Sequence, residues 1–309
     1  MQTWRGAENT PADWGGGVVT IGFFDGVHLG HRQIIGRAVR RAHERGERAG
    51  VLTFDPHPGE VLRPGSHPAL LTTLRHKAEL LAAIGVDALC VQPFTPEFSR
   101  VPPTDFVRDV LVDHLRASVV VVGENFSYGH RAAGRLATLT ADGARAGFEV
   151  EGVRLVRSGE EVLSSTGIRR RVADGEVEAA AAALGRPHRV EGVVVHGDAR
   201  GRTIGYPTAN IEVTPWAAVP ADGVYAGFAC LADRRQPAAI SIGTNPTFAG
   251  RERRVEAFLL DFDGDLYGQY LAYEFTHRLR PTLRFDSVDD LVTQMAADVE
   301  TTRAVTLPV

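Results

Sequence analysis

The chain has 309 residues, 44% hydrophobic and 23% charged, with 34 Lys and Arg against 38 Asp and Glu for a formal charge of -4. This length exceeds the roughly 100–200 residues of one domain, so two domains are expected, and balanced charge without a Lys/Arg block argues against a sequence-independent nucleic-acid footprint while leaving room for a local basic cleft for phosphates. Cys90 and Cys230 form no CxxC pair, which argues against a disulfide framework or cysteine zinc site, and no apolar run approaches the ~18 residues that span a bilayer, so a cytoplasmic protein is expected.

From Val18 to about Val156, β-rich apolar runs alternate with helical patterns. The runs 18–22, 49–54, 88–91, 118–123 and 148–156 read as strands, while Arg32–Arg45, Leu74–Ile84 and Thr104–Leu115 carry apolar residues at helical spacing. The alternation predicts a mostly parallel sheet covered by helices. After Arg169 the texture changes. Residues 174–187 predict one short helix ended by Gly185 and Pro187, and strands at 189–197, 223–232, 238–244, 254–262 and 270–280 then suggest an antiparallel barrel or sandwich. Val288–Val299 predicts an amphipathic closing helix. The expected domains are residues 1–182 and 183–309.

Three segments of the first half follow apolar runs and offer phosphate chemistry: GFFDGVHLGH (22–31), GENFSYGHRAAG (123–134) and SSTGIRR (164–170). In an open α/β sheet, ligands collect beyond the carboxyl ends of the strands, so these segments are candidates to converge. His28 and His31, at a helix start, can donate to phosphate oxygens, while Gly22, Gly26 and Gly30 allow close backbone approach. Ser164, Ser165 and Thr166 supply hydroxyls and Arg169 a cation. The histidine pair is also compatible with half a metal site, but no HExxH and no neighbouring Cys/His cluster supports one.

In the second half, VVVHGDARGRTIGYPTANI (193–211) interleaves Gly197, Gly201 and Gly205 with Arg200 and Arg202. This composition suits either a loop that cradles a triphosphate or a basic glycine hairpin. Thr208 and Asn210, two apart on a predicted strand, point the same way and offer oxygens to Mg²⁺. Glu256 is the carboxylate that interrupts the apolar run from Val255 to Leu260, and alternation leaves its side undecided. Asp261, Asp263 and Asp265 lack the terminal Glu of a calcium loop and read as a turn.

The HxGH core of GFFDGVHLGH resembles the nucleotidyltransferase superfamily. With FDPHP (54–58), LTTLRHKAELLAAIGVD (71–87), GENFSYGH and SSTGIR, the first half resembles the FMN adenylyltransferase half of bacterial bifunctional riboflavin kinase/FAD synthetases. GDARGRTIGYPTANI, SIGTNPTF (241–248), VEAFLLDFDGDLYG (255–268), the LR of 279–280 and RFDSVDDLVTQMAAD (284–298) resemble the riboflavin kinase domain.

The resemblance implies a Rossmann-like nucleotidyltransferase domain with a parallel sheet, followed by an antiparallel β-barrel ending in a helix. It implies phosphorylation of riboflavin to FMN and adenylyl transfer to FMN giving FAD, with ATP as co-substrate and Mg²⁺ in both steps. Carried over by motif, His28, His31, Gly22, Phe24, Asp25, Gly26, Gly30, Asn125, Ser164, Ser165, Thr166 and Arg169 bind ATP or substrate phosphates. Gly197, Arg200, Gly201, Arg202, Gly205 and Pro207 would hold ATP in the kinase half. Thr208 and Asn210 would hold the metal, Asn125, Asn245 and Arg280 would contact flavin, and Glu256 would be the catalytic base. Phe23 stands where Asn is frequent, Ser127-Tyr128 replace a usual pair such as Arg-Phe, and Thr282 replaces an acid. The implied partners are riboflavin, FMN and ATP, without nucleic acid or membrane and with self-association left open. A chain with one decayed half, or a flavin sensor, is the alternative. Retention of His28, His31, Thr208, Asn210 and Glu256 argues against both, because binding alone needs no base.

Overall fold

The Val- and Ile-rich runs of the first half become strands buried on both faces, as a parallel sheet under helices requires. In the computed structural model these strands are β2 (Gly17–Ile21), β3 (Arg48–Asp55), β4 (Ala88–Pro93) and β5 (Ala117–Gly123), preceded by a partly exposed β1 (Gln2–Arg5). After a ribbon of β6 (Ser127–Tyr128) and β7 (Gly134–Arg135), β8 (Glu149–Val153) completes the sheet. Every pairing is parallel, in the order β1-β4-β3-β2-β5-β8. The structure describes all residues except 159–160, 198–200, 202–203, 233, 248–249 and 307–309. Contacts divide it into two units, Met1–Pro68 with Thr73–Ser164, and Ala69–Thr72 with Ser165–Val309.

Alternation along each strand feeds two cores. Val120 and Val122 of β5 join Leu52, Leu111 and Leu139 on one face, whereas Val119 and Val121 join Ile35, Val51 and Leu81 on the other. Helices α1 (Leu29–Arg45), α2 (Pro58–Leu62), α3 (Leu74–Ile84), α4 (Pro103–Asp105, continuing as a π-helical stretch Phe106–His114) and α5 (Leu136–Ala146) supply the partners. β1, with the sequence QTWR, extends the sheet beyond β4, and its short polar pattern carries no strand signal. The order reverses at β2 and β5, whose carboxyl ends frame the crevice where ligands of such sheets bind. A small ribbon of β9 (Arg157–Ser158) and β10 (Glu161–Val162) follows β8.

The second unit begins with α6 (Ser165–Asp174) and α7 (Val177–Leu184), the latter ended by Gly185 at φ 72°. Six strands follow: β11 (His188–Val195), β12 (Ala209–Val213), β13 (Gly223–Cys230), β14 (Arg235–Thr247), β15 (Gly250–Leu259) and β16 (Tyr270–Arg280). They close antiparallel in the order β11-β12-β15-β14-β13-β16, because β16 pairs with both β13 and β11. The alternative of a barrel or a sandwich is thereby settled as a barrel. Its core holds Tyr225, Tyr273 and Phe275, and the two phenols donate to Ala221 O at 2.6 Å and Ala209 O at 2.7 Å. Buried hydroxyls of this kind are tolerated because they are paired.

The closing helix α8 (Val288–Thr306) runs on past the expected Val299 and packs on β13, β14 and β16. An ion pair fastens it: Arg280 Nε lies 3.0 Å from each Asp298 carboxylate oxygen and Nη2 2.7 Å from Oδ2. Gln294 donates to the same carboxylate at 3.0 Å. Removing one partner of a largely buried pair leaves the other charge desolvated and uncompensated. Asp298→Ala is therefore expected to lower stability by about 3 kcal/mol in urea unfolding of the full chain, whereas a change below about 0.5 kcal/mol would show the pair to be immaterial.

Candidate active sites

The first site is built where the chain leaves β2. The turn between strand and helix holds Phe24 at φ 53°, Gly26 at φ 79° and Val27 at φ 39°. Gly26 adopts this conformation freely, but a β-branched Val does so against a penalty on the order of 1–3 kcal/mol that its surroundings must offset. Phe24 and Val27 sink into the core beside α1, and Val27 N–H bonds Phe24 O at 3.1 Å. Upstream, Gly22 N–H donates to Leu52 O at 3.1 Å, and the Phe23 carbonyl accepts from Lys77 Nζ at 2.6 Å and Thr53 Oγ1 at 3.1 Å.

The turn delivers His28 to the N-cap of α1, where its Nδ1 accepts the His31 N–H at 3.3 Å. In the neutral ring that bond puts the proton on Nε2, making Nε2 a donor. The His28 and His31 rings stack with centroids 3.6 Å apart, and Phe24 meets His31 edge-on at 5.3 Å. A Cβ at Gly30 would lie 3.0 Å from His28 Cε1, so a larger residue would displace that ring. Asp25 is buried within the turn. Two imidazoles and the first N–H groups of a long helix thus share one end of the sheet, an arrangement that favours anions.

Beyond β5, Gly123 to Phe126 form a second turn closed by Phe126 N–H to Gly123 O at 2.9 Å, with Asn125 exposed. A Cβ on Gly123 would stand 3.1 Å from Asn125 Oδ1 and 3.3 Å from Ile34 Cδ1 of α1, so this turn adjoins the histidine helix. Tyr128 is a core residue: it packs on Phe106 with centroids 5.5 Å apart, and its phenol, pushed up to about 12 by burial and Asp142, donates to Asp142 at 3.4 Å. Its departure from the family pattern is thus accommodated by packing. Ser164 closes the first unit; Ser165 and Thr166 open α6 in the second, with Arg169 half-buried on it.

In the barrel, Val255, Ala257 and Leu259 of β15 point into the core, so Glu256 and Phe258 face outward. The outer side is a cavity of about 400 Å³ with α8 as one wall through Leu291, Met295 and Val299. Glu256 sits opposite Asn210 on β12 and Ser241 on β14, and Thr208 Oγ1 donates to its Oε2 at 2.9 Å. All four line this cavity, together with Gly197, Gly201, Pro207 and Arg280. Arg280 is there as the partner of Asp298, and Thr282 lines the same wall. Gly205 takes φ 88° in the turn before them. Arg200 and Arg202 lie outside the described residues, and Asn245 is placed by its backbone, opposite Glu252 in β14 and β15.

Family models described as FAD synthetase and riboflavin kinase match residues 10–167 and 184–306. The bifunctional riboflavin kinase/FMN adenylyltransferase of Listeria monocytogenes is 41% identical over 291 residues, 93% of this chain and 91% of its own. The enzyme of that name from Escherichia coli K12 is 38% identical over 98% of this chain and 97% of its own. The chain belongs to the bifunctional riboflavin kinase/FMN adenylyltransferases. It phosphorylates riboflavin to FMN and adenylylates FMN to FAD, with ATP as co-substrate. A crystal structure described as a macrolide-efflux protein from Streptococcus pneumoniae is 33% identical, with a TM-score of 0.89 over 98% of this chain and 99% of its own. No described helix of this family member is long and apolar enough to cross a membrane.

Sequence reasoning passed over Lys77 and Thr53, both buried beneath the first site. Their signal was present: Lys77 interrupts the apolar stripe Leu74, Ala78, Leu81 of α3, where a solvated lysine has no place. Burial pulls the Lys77 ammonium down from 10.5 to about 8, against the attraction of Asp25 and Asp55. Between about pH 8 and 10.5 the unfolded enzyme therefore carries a proton that the folded one has lost, and stability rises with pH across that window. Wild type is expected to gain up to about 3 kcal/mol relative to Lys77→Met from pH 8 to 10.5, read from urea unfolding in a Trp216→Phe background that leaves Trp4 and Trp14 to report. A pH-independent difference would contradict it.

Proposed function

We propose that the two reactions use separate residues and opposite electrostatic strategies. In the sheet unit, an oxygen of the FMN phosphate attacks the α-phosphorus of ATP and pyrophosphate leaves. That nucleophile is already an anion at neutral pH, so the step needs charge stabilisation rather than a base. The observation that carries this reading is His28 at the N-cap of α1, with its Nδ1 occupied as acceptor and its Nε2 a donor. His28, His31 and the first N–H groups of α1 then stabilise charge on the α-phosphate and pyrophosphate. Gly22, Phe24, Asp25, Gly26 and Gly30 shape the turn that presents them, and Asn125 orients substrate phosphate and flavin. Ser164, Ser165, Thr166 and Arg169 are proposed as triphosphate ligands on their motif.

In the barrel, the nucleophile is the ribityl 5′-hydroxyl, too weak an acid to ionise unaided. Glu256 accepts its proton as the oxygen attacks the γ-phosphorus and ADP leaves. The Thr208 hydroxyl fixes the carboxylate through Oε2. Thr208, Asn210 and Glu256 present hard oxygen donors on one cavity wall, a set that fits Mg²⁺, which takes few protein ligands beside phosphates and water. Thr208 and Asn210 would hold the ion, which when bound neutralises triphosphate charge. Gly197, Arg200, Gly201, Arg202, Gly205 and Pro207 are proposed for ATP, with Asn245 and Arg280 for flavin.

The proposed functional boundary is 182/183, within the interval between the two family matches. Free Cys90 and Cys230 support a cytoplasmic location, and a charge of -4 without a basic block supports small molecules rather than nucleic acid as partners. His28→Ala is expected to slow FAD formation from FMN by about 10²–10³-fold while riboflavin phosphorylation continues. Glu256→Gln should slow phosphorylation by about 10²–10⁴-fold and spare FAD formation from supplied FMN. Separation of products over time decides this, and loss of both reactions from either substitution in a folded protein would sink the division of labour.

A further inference from the structure

The turn that positions His28 stores strain at Phe24 and Val27, and its entry is held by groups that belong to neither substrate chemistry nor ordinary packing. Lys77 Nζ donates to the Phe23 carbonyl at 2.6 Å and lies 3.9 Å from the centroid of the Phe23 ring, which also meets the His57 ring in a T-shaped arrangement with centroids 4.4 Å apart. Thr53 donates to the same carbonyl. Asp25 inside the turn and Asp55 at the end of β3 are near enough to attract the Lys77 charge. Its base is rigid, because α3 is capped by Thr73 and packs through Leu81 into the core. A buried ammonium is unfavourable where a methionine would fill the space, so packing alone does not account for it.

We propose that Lys77 is a positioning residue for adenylyl transfer: with Thr53 it fixes the Phe23 carbonyl and so holds the strained turn that sets the His28 cap and its Nε2 donor. The proposal rests on reading His28 as a hydrogen-bond donor to phosphate. Phe23, which departs from the family's frequent Asn, belongs to the same device, since its ring covers the ammonium. The Lys77 amine holds the turn from below as a donor to a backbone carbonyl, without having to touch substrate.

The test compares full-length wild type, Lys77→Met, Thr53→Val and His28→Ala. For Lys77→Met, kcat for FAD formation is expected to fall by about 10–100-fold with the FMN KM within about threefold of wild type. Riboflavin phosphorylation should be unchanged, and the His28 ¹⁵N resonances should lose the fixed Nε2–H tautomer. Thr53→Val, which removes the second donor with little change in volume, should lower the same kcat by about 3–10-fold, and this variant decides the matter if Lys77→Met does not fold. Wild-type kcat in Thr53→Val and in any folded Lys77→Met, or an unchanged His28 tautomer in either, overturns the proposal. If His28→Ala retains FAD formation, the reading of the first site fails instead. If it loses FAD formation while the other variants keep theirs, the failure is confined to Lys77.

Discussion

The first site depends on a constraint of chain geometry: between Ile21 at the end of β2 and Leu29 at the start of α1, the backbone must reverse from strand to helix and arrive with a histidine as cap. It does so through positive φ at Phe24, Gly26 and Val27, a path that a free chain avoids. The offset comes from the burial of Phe24 and Val27 and from the donors gathered on the Phe23 carbonyl. Once α1 starts at that residue, the His28 cap, the stacked imidazoles and the N–H groups of the first turn come with the helix at little further cost. Strain here is therefore part of how the site is preorganised.

The barrel solves a different problem by a different constraint. Its closed hydrogen-bond register puts Asn210, Glu256 and Ser241 side by side on three strands, and a slip of one residue would turn Glu256 into the core. Closure removes free edges and so fixes that register firmly. In the proposed division of labour, one enzyme uses an anion-stabilising end of a parallel sheet and a base on the outer wall of a barrel, matched to nucleophiles that differ in acidity.

The central strands β2 to β5 were legible because burial on both faces leaves apolar, largely Val-rich runs, whereas the short polar β1 at the sheet edge was not. Closure of the barrel was not, since it rests on β16 pairing with two strands distant in sequence. The side taken by Glu256 needed the packing of Val255 and Ala257 to settle it. The histidine motif was visible, but its support was not: Lys77 reads as a solvated helix residue until the stripe around it is seen to be core. Tyr128 looked like a departure in a binding loop and is a core aromatic with a buried phenol partner. The length of α8 escaped because beyond Val299 the buried position is taken by Thr302, a polar residue, just as Asp298 is buried within the expected range. Asp298 is there for Arg280, and Thr302 bonds the carbonyl one turn back.

In the proposed mechanism the sheet unit meets its triphosphate with donors already in place. A crystal structure with Mg²⁺ and a non-hydrolysable ATP analogue tests it most directly. Phosphate oxygens are expected within hydrogen-bonding distance of His28 Nε2 and the first N–H groups of α1, with Phe24 and Val27 still at positive φ and the Phe23 carbonyl still on Lys77. Phosphates bound away from that helix start, or a turn relaxed to negative φ around the nucleotide, would contradict it.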